Sequence, residues 1–136
     1  MSIEDKINLL WEGSVKNLSF NIPMHRLSFS VEKYIKNKKE IFHVEISEIS
    51  FYIFYDKYAY TVKNFNWEVT ELSTFFYAPK KIVSPKILSQ SYNEGKKFNI
   101  NYNLSLELWE ADILIQANKL KINDDLFDLN TGQLIT

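Results

Sequence analysis

The chain has 136 residues, of which 16 are basic and 17 acidic, and its formal charge is −1. This near-neutral balance argues against a protein whose main task is to wrap a nucleic-acid backbone. The absence of cysteine excludes a disulfide scaffold, a thiolate zinc site, an iron–sulfur cluster and a cysteine nucleophile. Apolar residues make up 46 %, too many for a disordered chain, and the length predicts a single domain over residues 1–136.

The N-terminal segment lacks the basic region and apolar stretch of a signal peptide. No segment of the sequence reaches the roughly 20 consecutive apolar residues that a membrane helix needs. The missing cysteines are compatible with a reducing compartment. These features together predict a cytoplasmic protein that does not associate with membranes.

A short amphipathic helix is predicted at residues 3–11. Ser2 and Asp5 have the spacing of a capping box, in which a hydroxyl and an acid satisfy each other's backbone N–H. The apolar residues that follow have the spacing of one helix face: Ile3, Ile7, Leu10 and Trp11. Gly13 stands where a left-handed residue would end the helix. A helix this short is unstable alone in water, so we expect it to pack on the rest of the domain.

The apolar period changes from 3.6 to 2 at residue 14, as is typical of strands with one buried and one wet face. A first group of strands is predicted over residues 14–78, with a polar hairpin tip at 36–39. Residues 79–97 hold most of the turn-forming residues and are predicted to be a loop region. Residues 98–129 then alternate regularly and predict the C-terminal strands.

The apolar phase reverses within two of the long strands, at Ser47–Glu48 and near Asn118–Lys119. A β-bulge has this effect, because one extra residue reverses which side chains face the core. Beyond the first reversal, Tyr52 and Phe54 make the second face of the strand apolar as well. We therefore expect these two rings to lie outside the main core.

The fold class follows from the order of these elements. Seven or eight strands joined by polar turns, with no helix of crossover length between them, indicate a mainly β fold. We expect an antiparallel meander that forms a β-sandwich or a half-barrel, with the bulges supplying the bend and the short N-terminal helix packed against it.

The reactive residue types do not form a recognisable catalytic or metal motif. His25 and His43 are the two histidines, and a metal site needs several converging ligands. Three glycines leave neither a phosphate-binding loop nor a nucleophile elbow. The acids fall mostly on the solvent phase rather than in a pair suited to glycoside hydrolysis. We therefore expect a protein that is not an enzyme and that binds no metal or cofactor.

Aromatic residues are abundant, with three Trp, eight Tyr and ten Phe. Rings outside the buried phase suit a binding surface, because Trp and Tyr often anchor protein interfaces. The predicted anchors are Tyr52, Phe54, Trp67 and Trp109. The predicted charged rim, which would suit a basic partner, is formed by Glu45, Glu48, Glu107 and Glu110. The alternative is that the helix and the loop at 79–97 cover these rings as a second small core.

Three parts of the chain carry a resemblance to a known family. They are LWEGSV at residues 10–15, VEISEISFY at 44–52, and the C-terminal segments LEL at 106–108, ILIQA at 113–117 and LKIN at 120–123. This pattern resembles the small YxiG-like proteins of Bacillus and its relatives. Several members of that family lie beside polymorphic toxin genes and are thought to be immunity proteins. The resemblance implies a cytoplasmic protein that binds and blocks a cognate toxin, and it supplies no catalytic residues.

These observations favour a non-enzymatic domain that binds another protein, which the resemblance identifies as a toxin domain. A homodimer is also compatible with an exposed aromatic surface. One alternative is a carrier for a small apolar ligand inside a curled sheet. Another is a hydrolase with two inward-facing carboxylates, which would need to lie roughly 5–9 Å apart.

Overall fold

The computed structural model describes residues 1–56, 71–83, 100–108 and 111–135. Within these ranges the chain forms one short helix and eight strands, all of them in a single antiparallel sheet. The fold is therefore mainly β, as the alternation of apolar residues predicts. A strand predicted near residues 58–62, and most of the loop region predicted at 79–97, lie outside the described residues.

Helix α1 spans Ile3–Asn8 and begins at the predicted capping box. The Asp5 N–H donates to Ser2 Oγ (3.2 Å), and the Ser2 N–H donates to Asp5 Oδ2 (3.4 Å). The helix ends earlier than the predicted residue 11, because the chain between residues 9 and 12 forms turns instead. No helix in the described part of the chain is long and apolar enough to cross a membrane.

The strands follow the helix in chain order. They are β1 (Gly13–Asn21), β2 (Arg26–Ile35), β3 (Lys38–Asp56), β4 (Glu71–Val83), β5 (Ile100–Leu108), β6 (Ala111–Ile122), β7 (Asp125–Asp128) and β8 (Leu134–Ile135). Strand β4 extends to Val83, so the first residues of the segment predicted as a loop are in fact strand. The predicted hairpin tip is present between β2 and β3. Lys36 and Asn37 both have positive φ there, at 52° and 63°, as a tight two-residue hairpin turn requires.

The sheet curls into a ring because its strands do not pair only with their neighbours in sequence. Strand β4 pairs with β1 rather than with β3, and the strand order is β3-β2-β1-β4-β5-β6-β7-β8. The ring closes through the 19-residue strand β3. Its residues 38–46 pair with β2, and its residues 44–56 pair with β6. One long strand therefore belongs to two pairings and carries the bend of the sheet.

The two predicted phase reversals are present, and they lie opposite each other. On β3 the buried residues change from Val44 and Ile46 to Ile49, and on β6 they change from Ala117 to Leu120. Ile49 still pairs with Ala117 in unchanged register. The alternation of buried and exposed side chains therefore reverses at the same point on both strands. Glu48 allows this reversal on β3 because its backbone is left-handed (φ 54°). A shift in register follows later, between Ile49 and Phe51.

The core fills the space between α1 and the inner faces of the strands. The largest fully buried side chains are Phe75, Phe127, Ile3, Ile7, Leu10, Leu27, Ile46, Leu72, Leu104, Leu106, Ile115 and Leu120. One polar side chain is buried among the described residues. Asn103 donates from Nδ2 to the Ala117 carbonyl (2.7 Å) and accepts at Oδ1 from the Ala117 N–H (3.1 Å). Its amide thus continues the β5–β6 pairing beyond the last main-chain pair.

Gly13 begins β1 and does not act as the predicted left-handed end of the helix. The left-handed residue is Glu12, with φ 68°. A Cβ on Gly13 would overlap the side chain of Val31 and would lie 3.2 Å from the Leu10 carbonyl oxygen. Glycine is therefore required here by the close approach of β2 and of the turn after α1.

The C-terminal segment is fastened to β4 and to α1. The Tyr77 hydroxyl donates to the Leu129 carbonyl (2.6 Å), and the Lys6 ammonium pairs with Asp125 (2.7 Å). Burial raises the pKa of Tyr77 above its ordinary value of 10.0, and the negative charges of Glu4 and Asp128 raise this pKa further. The phenol therefore stays protonated, and able to donate this hydrogen bond, at a pH where a free tyrosine ionises.

Candidate functional site

The predicted site residues fall into two groups. The structure describes the side chains of Tyr52, Phe54, Glu45, Glu48 and Glu107. Trp67, Trp109 and Glu110 lie outside the described residues. The predicted anchors and rim can therefore be placed only in part, and the described members lie on β3 and β5.

Tyr52 and Phe54 lie on the inner face of β3, not on the second face where the alternation places them. The register shift after Ile49 adds one residue to β3, so that Tyr52 pairs with Ile115 and Phe54 with Ile113. Directly opposed residues of an antiparallel pair point to the same side of the sheet. Since Ile113 and Ile115 belong to the core, both rings point toward it, and Phe54 packs against the core.

Tyr52 is nevertheless 42 % exposed, because it lies at the margin of the core. Its ring packs against Phe20 of β1, with ring centroids 4.3 Å apart. Three further apolar side chains at this end of the β1–β2 hairpin are exposed: Leu18, Ile22 and Met24. We call the five residues Leu18, Phe20, Ile22, Met24 and Tyr52 the hairpin patch. It joins two strands that are distant in sequence, β1 and the second half of β3.

Two hydrogen bonds between His25 and Ile49 hold the β1–β2 turn against β3. The Ile49 N–H donates to the His25 carbonyl (3.1 Å), and the His25 Nδ1–H donates to the Ile49 carbonyl (3.0 Å). His25 has positive φ (55°), which turns its main chain toward the strand. This histidine therefore positions the hairpin patch and does not converge with His43. No group of three or more potential metal-ligating side chains occurs in the described part of the chain.

The three described acids of the predicted rim contact neighbouring groups of the protein. Glu45 lies 3.9 Å from Arg26, and Glu48 lies 3.2 Å from Lys119. Glu107 accepts a hydrogen bond from the Thr74 hydroxyl (3.0 Å). The first two pairs are about half exposed, so they add little to stability, but they offset the negative charge of both carboxylates.

A second surface feature is a shallow polar groove on the outer face of β1, β2, β3 and β6. Its volume is about 300 Å³. It is lined by Asn17, Ser28, Phe29, Ser30, His43, Val44, Glu45, Lys121 and Asn123. Three of the four strands meet there because residues 44–46 of β3 pair with β2 and β6 at once. We call this feature the polar groove.

A family model of YxiG-like proteins matches residues 3–127. The chain belongs to the YxiG-like family. The match covers α1 and strands β1 to β6, so the elements that carry the hairpin patch and the polar groove lie within it. No curated protein and no solved structure matches the chain.

Sequence reasoning singled out Tyr52 alone among the members of the hairpin patch and missed Leu18, Phe20, Ile22 and Met24. The alternation of β1 places Leu18 and Ile22 in the buried phase, but both are exposed. Ile22 and Met24 lie in the β1–β2 turn, on either side of Pro23. Composition could have indicated the exposure of Ile22 and Met24, because a turn is ordinarily polar and two large apolar residues beside a proline are unusual there. Phe20 is partly buried and packs against the core, but its contact with Tyr52 depends on the curl of the sheet.

Proposed function

We propose that this member of the YxiG-like family is a non-enzymatic protein-binding domain that acts as an immunity protein and blocks a cognate toxin sterically. The observation that carries the proposal is the hairpin patch, in which Ile22 is 63 %, Met24 53 % and Tyr52 42 % exposed. Grouped apolar side chains of this size on a protein surface are typical of interaction sites. The immunity role itself rests on the resemblance to family members that lie beside toxin genes.

The patch has the features of an energetically important interface. Tyr52 presents a rigid ring that is already packed on Phe20, so little conformational freedom is lost when a partner covers it. Met24 supplies adaptable apolar area next to the turn, and Ile22 adds exposed apolar area beside it. The clamp between His25 and Ile49 fixes the turn before binding. Preorganisation of this kind lowers the entropic cost of association.

The proposal is tested with the product of the gene beside that of this chain. The two proteins are purified separately, their affinity is measured by calorimetry, and growth is measured in a host that expresses the neighbour with and without this chain. We expect a complex and restored growth. The Tyr52→Ala variant should bind at least about 30-fold more weakly, as truncation of a central aromatic anchor costs about 2 kcal/mol or more.

Tyr34→Ala is the matched control, because Tyr34 is 73 % exposed and lies on the β2–β3 hairpin, outside the hairpin patch. It should bind as the wild type does, and circular dichroism should show both variants folded. Equal affinities of the two variants would contradict the assignment of the patch. A neighbour that neither binds this chain nor inhibits growth would overturn the immunity role. Thermal stabilisation by a fatty acid without any protein complex would favour the carrier alternative.

A further inference from the structure

The polar groove lies apart from the hairpin patch, and the charges of its lining balance. Lys121 and Glu45 are the charged residues of the lining, and they are directly opposed on β6 and β3. With histidine neutral, the formal charge of the lining is therefore zero. Glu45 would repel an anion in the groove and Lys121 would repel a cation, so an uncharged ligand fits this lining best.

Small side chains on β2 form the floor of the groove. Ser28 and Ser30 lie on the outer face of β2, directly opposite the longer side chains of Glu45 and His43 on β3. On the other side Asn17 lines the groove from the register shift of β1, where its backbone is left-handed (φ 56°). The surface is therefore hollow above the two serines. The volume of about 300 Å³ lies at the lower end of the range of small-molecule sites.

Hydrogen bonds fix part of the lining before any ligand arrives. The His43 N–H donates to Asn123 Oδ1 (2.9 Å), and the Asn123 N–H donates to the His43 carbonyl (2.8 Å). The His43 Nδ1 and the Ser30 hydroxyl share a further hydrogen bond of 3.1 Å. These contacts orient the imidazole and the amide. The His43 Nε2 and the Asn123 Nδ2 keep no partner within the described ranges of the chain, so both are available to a ligand.

The available groups of the lining place donors beside acceptors. Glu45 only accepts hydrogen bonds and Lys121 only donates them. No ion pair joins these two side chains in the part of the chain that the structure describes, although their strands pair directly. The contact of Glu45 with Arg26 is long, at 3.9 Å, and half-exposed, so the carboxylate can accept further hydrogen bonds. Because a hydroxyl donates and accepts at the same oxygen, one ligand hydroxyl can serve both Glu45 and Lys121.

We propose that the polar groove binds a neutral sugar of one monosaccharide ring, either free or at the end of a glycan. One hydroxyl donates to Glu45 and accepts from Lys121. Neighbouring hydroxyls bind the side-chain amides of Asn17 and Asn123 and the Nε2 of His43. An extended peptide fits less well, because its N–H and C=O are separate groups that each carry only one of the two functions.

The experiment titrates the isotopically labelled full chain with D-glucose, D-galactose, D-mannose and N-acetyl-D-glucosamine and follows backbone amide shifts by NMR. With at least one sugar, the amides of Ser30, His43 and Asn123 should shift with one saturable isotherm. The dissociation constant should be millimolar, as is expected of a small ligand in an open site. Because the sugar is uncharged, raising the salt concentration from about 20 to about 300 mM should change the affinity by less than about twofold.

Two variants with matched controls test the assignment of the groove. Lys121→Gln should weaken binding about tenfold, the loss expected for one charge-assisted hydrogen bond. Lys38→Gln removes the same charge from the exposed β2–β3 hairpin and should change the affinity by less than about twofold. Ser28→Val should abolish binding, because the larger side chain fills the floor. Ser14→Val makes the same change at an exposed position of β1 that pairs with Glu32, outside the groove, and should bind as the wild type does.

Acetyl-QQQQ-amide and inorganic phosphate are the comparison ligands. Equal saturation of the same amides by either of them would overturn the proposal, because the site would then not require a sugar. Absence of saturation with all four sugars, or equal affinities of the Ser28 and Ser14 variants, would also overturn it. Methyl glycosides distinguish the two sources, since a free sugar is bound through its anomeric hydroxyl and the end of a glycan is not. The titration uses no toxin and no residue of the hairpin patch, so its failure leaves the proposed immunity function to its own test.

Discussion

The most informative perturbation of the fold is the replacement of Asn103 by leucine. Asn103 is 3 % exposed, and its amide forms both hydrogen bonds that Ala117 makes toward β5. Main-chain pairing between β5 and β6 ends beside this position, at Leu104 and Ile115. The Asn103 side chain thus replaces main-chain hydrogen bonds between the point where β6 stops pairing with β5 and the point where it begins to pair with β7.

Leucine has the same branching and the same number of side-chain heavy atoms, but it leaves the Ala117 N–H and carbonyl without partners. Because Ala117 is fully buried, each of these groups loses a hydrogen bond that water cannot replace. An unsatisfied buried polar group costs about 1–3 kcal/mol, so Asn103→Leu should lower the free energy of unfolding by about 2–6 kcal/mol. That is a large fraction of the roughly 5–15 kcal/mol that stabilises a typical domain.

The assay is urea unfolding followed by far-UV circular dichroism, with the slope m required to stay constant between variants. Asn101→Leu is the matched control, because Asn101 is exposed and lies two residues earlier on the same strand. It should change the free energy of unfolding by no more than about 0.5 kcal/mol. A loss below about 1 kcal/mol for Asn103→Leu, at unchanged m, would refute the reasoning that its amide completes the sheet.

Three further predictions concern single contacts. Gly13→Ala should lower the free energy of unfolding in urea by about 1–3 kcal/mol, because the new Cβ overlaps Val31. If the free-energy changes of Gly13→Ala and Val31→Ala simply add up in the double variant, that contact is contradicted. Ser2→Ala should cost about 1 kcal/mol because it removes the helix cap, and an unchanged Tm would show that the cap contributes nothing. The wild type should lose stability as the pH rises above 10.0, because the pKa of Tyr77 is higher in the folded than in the unfolded chain. The difference in Tm between the wild type and the Tyr77→Phe variant should therefore become smaller between about pH 9 and 11. A difference that stays constant over this range would contradict the raised pKa.

The candidate site could be predicted only in part. Tyr52 was singled out because it lies outside the buried phase of the alternation, and its side chain is partly exposed. It nevertheless points toward the margin of the core rather than away from it. The acids Glu45 and Glu48 were correctly placed outside the buried phase. Their cationic partners, Arg26 and Lys119, come from other strands, and no local pattern indicates those pairings.

Local chemistry is what the sequence by itself determined. The capping box of α1, the alternating strands, the turn at Lys36–Asn37 and the two phase reversals all depend on residues close together in the chain, so their patterns are visible before folding. Only the tertiary structure decided how β3 is divided between β2 and β6, and where its register shifts. That choice depends on a partner strand some 70 residues away, and it alone brings Tyr52 to Phe20 and Lys121 to Glu45.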